Sequence, residues 1–246
     1  MPDHLFILVA GAAVAGLVQG LSGFAFGMVA MSLWAWFLSP QLAAVLTLTG
    51  ALAGQILAAF TVRRGFEWRR LAPFLVGGLL GIPLGVALLP RLDANLFKVG
   101  LGALLVLWCP AMLLARELPR IRYGGRAADA VVGGLGGVLG GLGGFTGVLP
   151  TLWCTLHGLG KDEQRTIVQN FNLGIQLVTL VAYLWQGLIG RHNLPMIATV
   201  IPVALLCSWA GTRLYMGLSE ARFRQLVLLL LTVSGAVMLA SGLARL

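Results

Sequence analysis

The chain has 246 residues, 59% of them hydrophobic and only 10% charged, against about 25% charged residues in soluble domains. That balance excludes a water-soluble enzyme or binding module and makes the lipid bilayer the expected partner. The formal charge of +9 does not argue for nucleic acid, because the basic residues form short clusters at the ends of apolar runs, where they orient a membrane protein.

Taken in order, Met1-Pro2-Asp3-His4 lacks the basic start of a secretory signal, and the apolar run after it outlasts a signal, so the first segment is expected to be retained. Residues 5–62 contain no acidic, basic or histidine side chain, and they exceed the roughly 20 residues needed to cross a hydrocarbon core once. Residues 5–38 read as an apolar run broken near Gly20 to Gly27, and Pro40 is positioned to open the next helix. Spans follow at 42–62, at 71–89 with a kink around Gly81-Ile82-Pro83, and at 96–115. The arginine-rich stretch 116–129 reads as a linker. The second half repeats the plan: an uncharged run at 130–160, a hinge at 161–165, and spans at 166–189, 194–215 and 223–244. The expected architecture is an all-α polytopic membrane protein. Residues 1–115 and 130–246 would be homologous repeats, each a broken, glycine-rich opening segment plus three spans.

The evidence for duplication is local. Gly20-Leu21-Ser22-Gly23-Phe24 overlays Gly141-Leu142-Gly143-Gly144-Phe145 at an offset of 121 residues, which also places Gln55 on Gln176 and Thr49 on Asn170. Residues 91–98 and 217–224 run parallel at an offset of 126. If both opening runs cross the membrane, the 17 Lys and Arg divide 10 against 7; if both dip in and return, they divide 13 against 4. The positive-inside rule therefore favours re-entrant openings and inverted repeats.

A helix broken at bilayer depth exposes backbone groups that hydrocarbon cannot satisfy, so such breaks survive where they line a protein-enclosed or watery cavity. The start of a half-helix favours an anion, and glycine lets a ligand approach the backbone. Ser22, Gly23 and Phe24 on one side, with Gly143, Gly144, Phe145 and Thr146 on the other, would then form an anion cradle. The competing reading is helix packing, since Gly16/Gly20, Gly23/Gly27, Gly140/Gly144 and Gly143/Gly147 are all GxxxG pairs. The other polar residues within spans are few: Gln19, Thr47, Thr49 and Gln55 in the first half, and Thr151, Gln169, Asn170, Asn172 and Gln176 in the second, of which Gln19, Gln55, Asn170, Asn172 and Gln176 are selected as candidate site residues. They suit a small oxyanion, with interhelical hydrogen bonding as the alternative.

The opening GLVQGLSGFAFG, its echo GGLGGFTG with Pro150 and Gly160-Lys161, and Gln169-Asn170-Phe171-Asn172 together resemble the TauE/SafE sulfite exporter family over essentially the whole chain. The resemblance implies a permease for small sulfur-containing or organic anions in a bacterial inner membrane, working without cofactor or metal. Homo-oligomerisation is left open. All eight acidic residues lie at loops or segment ends, so no carboxylate stands ready as a mid-membrane proton relay; His157 is the one obvious titrating candidate. Cys109, Cys154 and Cys207 are isolated in apolar runs and read as packing residues. Two rivals remain: an intramembrane serine hydrolase built on the GxSG around Ser22, which needs a base within reach, and a scaffold subunit without a substrate.

Overall fold

The computed structural model describes residues 2–61, 65–114, 120, 123–214 and 220–244. Among them all regular structure is helical, which bears out the all-α membrane architecture. Ten α-helices follow in order: α1 (Pro2–Ser22), α2 (Phe26–Trp34), α3 (Pro40–Thr61), α4 (Trp68–Leu88), α5 (Ala94–Leu114), α6 (Gly125–Gly143), α7 (Val148–Leu156), α8 (Lys161–Trp185), α9 (Leu194–Leu214) and α10 (Glu220–Leu243). Seven of these, α1, α3, α4, α5, α8, α9 and α10, are long and apolar enough to cross a membrane.

Two boundaries differ from the sequence reading. The residues expected as a hinge, 161–165, form the first turns of α8. Extended Gly160 precedes them, and Asp162 and Glu163 sit where carboxylates complement the helix dipole. Likewise α6 begins at Gly125, so the last five positions of the expected linker are helical. Of its other positions, 116–119, 121 and 122 lie outside the described residues, as do Arg63 and Arg64.

The short helices α2 and α7 settle the course of the chain. Trp34, the last residue of α2, donates its indole N–H to the Ile7 carbonyl at 3.2 Å, and its ring fills the space beside Gly11. The chain therefore enters along α1, turns after Ser22 and comes back along the same helix. In the second half Trp153, near the end of α7, donates to Asp129 Oδ1 in the second turn of α6 at 2.8 Å. This opening is a hairpin too. An ion pair between Arg70 and Glu163 and a 3.1 Å bond from Asn170 Nδ2 to the Gly65 carbonyl put the starts of α4 and α8 on one face. α4 and α5 both have the length and apolarity of a membrane span, and the chain is back on the face where α4 begins when α8 starts.

Packing pairs the halves reciprocally. α1 lies along α9 as α6 lies along α4; α3 also touches α9 as α8 touches α4; and α5 packs on α10. Small residues permit the close approach: Gly16 and Gly20 rest on Ala204 and Ser208, and Gly133, Gly137 and Gly141 rest on Phe74, Gly78 and Ile82. For these stem glycines the helix-packing reading of the GxxxG pairs is the right one. Element starts keep the spacing of the sequence match. Pro40 and Lys161 are 121 positions apart, while Trp68 and Leu194, and Ala94 and Glu220, are 126 apart.

Candidate functional site

Each hairpin turns on a glycine in the left-handed region, Gly23 at φ 84° and Gly144 at φ 74°, a conformation that costs an L-residue with a Cβ about 1–2 kcal/mol. The helix ladder ends the same way in both, with Gly23 N–H on the Gln19 carbonyl at 2.7 Å and Gly144 N–H on the Gly140 carbonyl at 2.8 Å. Past that point the two breaks are finished differently. At the first, Ser22 Oγ accepts the N–H groups of Phe24 and Ala25 at 3.4 and 3.2 Å, closing the turn between α1 and α2. Gln55 Nε2 donates to the Gly23 carbonyl at 2.7 Å, and Gln19 Nε2 to the Ala51 carbonyl at 2.9 Å, which holds the break to α3. At the second, Phe145 N–H reaches back to the Leu139 carbonyl at 3.3 Å, and Thr146 Oγ1 accepts from Gln176 Nε2 of α8 at 3.3 Å.

The breaks meet. A Cβ on Gly27 would lie 2.9 Å from the Gly144 carbonyl oxygen and one on Gly147 3.1 Å from Phe24 Cβ, so the two turns run past each other in opposite directions. Gly23 faces the Gln169 amide and Gly144 faces Thr47 and Leu48, each from the helix of the other half. The Phe24 ring stands edge-on to Trp108, centroids 5.9 Å apart, and Trp108 donates to the Val148 carbonyl at 2.7 Å, tying α5 to both hairpins.

Around this meeting point lie polar atoms without a protein partner: Gln19 Oε1, Thr47 Oγ1, Thr151 Oγ1, both amide atoms of Gln169, both of Asn172, and Gln176 Oε1. Gln169 is 1% exposed and Asn172 fully buried. A buried polar group left unpaired costs about 1–3 kcal/mol, so such a cluster needs a partner such as water or a ligand. Amide N–H and hydroxyl groups without a neighbouring carboxylate offer hydrogen bonds to an oxyanion.

Of the residues expected from sequence, Gln19, Ser22, Gly23, Phe24 and Gln55 gather at the first break. Gly143, Gly144, Phe145, Thr146, Asn172 and Gln176 gather at the second. Asn170 is turned away, bonded to Gly65 at the face where α4 begins. The sequence reading did not select Gln169, Thr47, Thr151 or Arg165, although Arg165, Gln169, Asn172 and Gln176 follow helical spacing. Arg165 and Gln169 line a cleft that runs from Gln19 and Gly23 past Thr61 and Thr212 toward the face where α8 begins. Ser22 offers nothing to the hydrolase reading: its hydroxyl is turned to the two N–H groups, while His157 Nδ1 sits 3.0 Å from the Trp153 carbonyl at the far end of α7.

A family profile described as Sulfite exporter TauE/SafE matches residues 8–238. No curated protein and no solved structure matches the chain.

Proposed function

This chain belongs to the sulfite exporter TauE/SafE family of membrane transporters, and from that premise we propose that it carries a small sulfur-containing or organic oxyanion through the space where the two hairpin breaks meet. The observation that carries the reading is the cluster of buried, unpartnered amides and hydroxyls, Gln169, Asn172 and Thr47 above all, at that meeting point. Among the described residues Arg165 is the one charged side chain lining the adjoining cleft, so below it these neutral groups are the means of holding an anion without the desolvation cost of a buried ion pair.

The two halves act as inverted repeats in this reading, supported by the reciprocal helix pairs and by the hairpin form of both openings. Translocation is alternating access between two bundles. Each bundle mixes the halves, α1, α2 and α3 with α9 against α6, α7 and α8 with α4, because α1 and α3 pack on α9 as α6 and α8 pack on α4. The face where α4, α6 and α8 begin is cytoplasmic, since 13 of the 17 basic residues fall on it under this topology. The membrane is then the bacterial inner membrane. Export of a monoanion along the membrane potential gains about 2.3 kcal/mol per 100 mV, which needs no proton relay.

The test is anion flux from proteoliposomes holding the purified chain, run with sulfite, alkylsulfonates, chloride and phosphate. Flux of the sulfur oxyanions well above protein-free vesicles is expected. Flux absent for all of them, or equal for chloride and phosphate, would remove the reading.

A further inference from the structure

The face of α8 turned toward the breaks carries Arg165, Gln169, Asn172 and Gln176, four, three and four residues apart, which on a helix is one continuous stripe about 16 Å long. Each rung meets a different depth of the site. Arg165 lines the mouth of the cleft and Gln169 its floor beside Gly23; Asn172 sits against Gly147 where the breaks pass; Gln176 reaches Thr146 at the second break. The positions of α3 matched at an offset of 121 are Ala44, Leu48, Ala51 and Gln55, and the first three are buried apolar residues. The polar track is therefore on one helix only.

Its charge is uneven as well. Arg165 is the one charged residue lining the cleft among the described residues, and it makes no ion pair among them. Glu163 is taken by Arg70, Asp162 is exposed, and the Arg213 guanidinium lies over Trp209, 4.4 Å from the ring centre. Below Arg165 the stripe offers amides alone. Neutral groups can replace the water around a single charge. The cost of dehydrating an ion grows with the square of its charge, and no second cation waits at depth to offset a second negative charge.

Building on the permease reading, we propose that the α8 stripe is the anion path and that it selects monoanionic oxyanions, with Arg165 as the capture group at the mouth and Gln169 and Asn172 as the uncharged filter. A sulfonate fits as it stands. Sulfite passes as bisulfite, its singly protonated form.

Proteoliposomes of the full chain decide this with methanesulfonate, sulfite and sulfate, each at mildly acidic and mildly alkaline pH and corrected for protein-free vesicles. Methanesulfonate flux should be the same at both pH values, sulfite flux should fall several-fold on the alkaline side with the bisulfite fraction, and sulfate should stay at background. Among the described residues no titratable group lines the filter, so the pH dependence belongs to the permeant. Sulfate carried as well as methanesulfonate, or sulfite flux indifferent to pH, overturns the selectivity while leaving the permease reading intact. No flux of any anion removes both. Arg165→Gln should lower methanesulfonate flux several-fold at limiting concentration, with Arg165→Lys recovering part of it, and Asn172→Leu or Gln169→Leu should abolish it in protein that still elutes as a single species. Wild-type flux in all of these variants places the path elsewhere and overturns the proposal.

Discussion

The two hairpin breaks share a backbone and not a chemistry. Gly23 and Gly144 adopt nearly the same left-handed φ, 84° and 74°, at equivalent points of the two halves. Around Gly23 stand a serine hydroxyl, a glutamine on the carbonyl, the open amide of Gln169 and a cleft leading to Arg165. Around Gly144 the serine is replaced by Gly143, the facing atoms are the Leu48 backbone and the Thr47 methyl, and the neighbouring Gly140 and Gly143 are closed in by Ile175, Met31 and the Phe145 ring, with Tyr183 donating to the Gly141 carbonyl at 2.7 Å. Breaking a helix is a steric requirement that both segments meet with a glycine. Polar contacts need not be shared equally: the open amide of Gln169 and the cleft stand at the first break, while the second contributes Asn172 and Gln176.

The comparison is broken most directly at the turning glycines. Gly23→Ala and Gly144→Ala both force a Cβ into the left-handed region, a strain of about 1–2 kcal/mol. Only at Gly23 does the Cβ also run into a functional group, the Gln169 amide at 2.6 Å; at Gly144 its nearest neighbours stand at 3.5 Å. Transport measured on matched amounts of inserted protein should fall by more than about tenfold in Gly23→Ala, the equivalent of 1.4 kcal/mol, and by less in Gly144→Ala. The reverse order would mean that the second break is the working one.

The next largest contrast lies at positions 169 and 48. Gln169→Leu removes two buried atoms that have no partner, so it should raise the melting temperature in detergent, by up to about 1–3 kcal/mol in stability, while transport is lost. Leu48→Gln places an amide at a fully buried position of α3 and should lower the melting temperature without improving transport. A variant at 169 that melts lower than wild type would show the amide to be a structural group and not a waiting ligand contact.

What the sequence disclosed and what it hid follow the same division. The breaks were legible because the steric demand left matched glycines at a fixed offset, and the all-α membrane fold was legible from runs without charge. The choice of site side chains by symmetry was less reliable. Gln55 and Gln176 were selected as a matched pair, and each does serve a break, on the Gly23 carbonyl and the Thr146 hydroxyl. Asn170 was selected because Thr49 lies opposite it, yet it is one residue from Gln169 and so about 100° around the helix; it points to Gly65 instead. Gln169 was noted as a polar residue within a span but not selected for the site. A search for helical phase along 165–176 would have selected it, since residues sharing one face of a helix obey the 3.6-residue period. The course of the chain was the hardest part to read, because it depends on two tryptophans bonding back along their own hairpins and on the Arg70 to Glu163 ion pair.

The smallest effect should come from the hydroxyl that closes the first turn. Ser22→Ala strips the acceptor from the Phe24 and Ala25 N–H groups, and loss of such a hydrogen bond costs about 1 kcal/mol, partly recovered if water or the permeant itself takes the vacated amides. Transport should fall no more than a few-fold, with a modest drop in melting temperature. The reciprocal change, Gly143→Ser, offers the second break the hydroxyl it lacks, but its Cβ would press on the Phe145 ring and the Met31 methyl at 2.7 and 2.8 Å. It should destabilise the protein more than Ser22→Ala does and confer no gain in flux. If Gly143→Ser were neutral in melting and raised transport, the second break would be a competent anion site held back only by its missing hydroxyl, and the division of labour between the two hairpins would have to be redrawn.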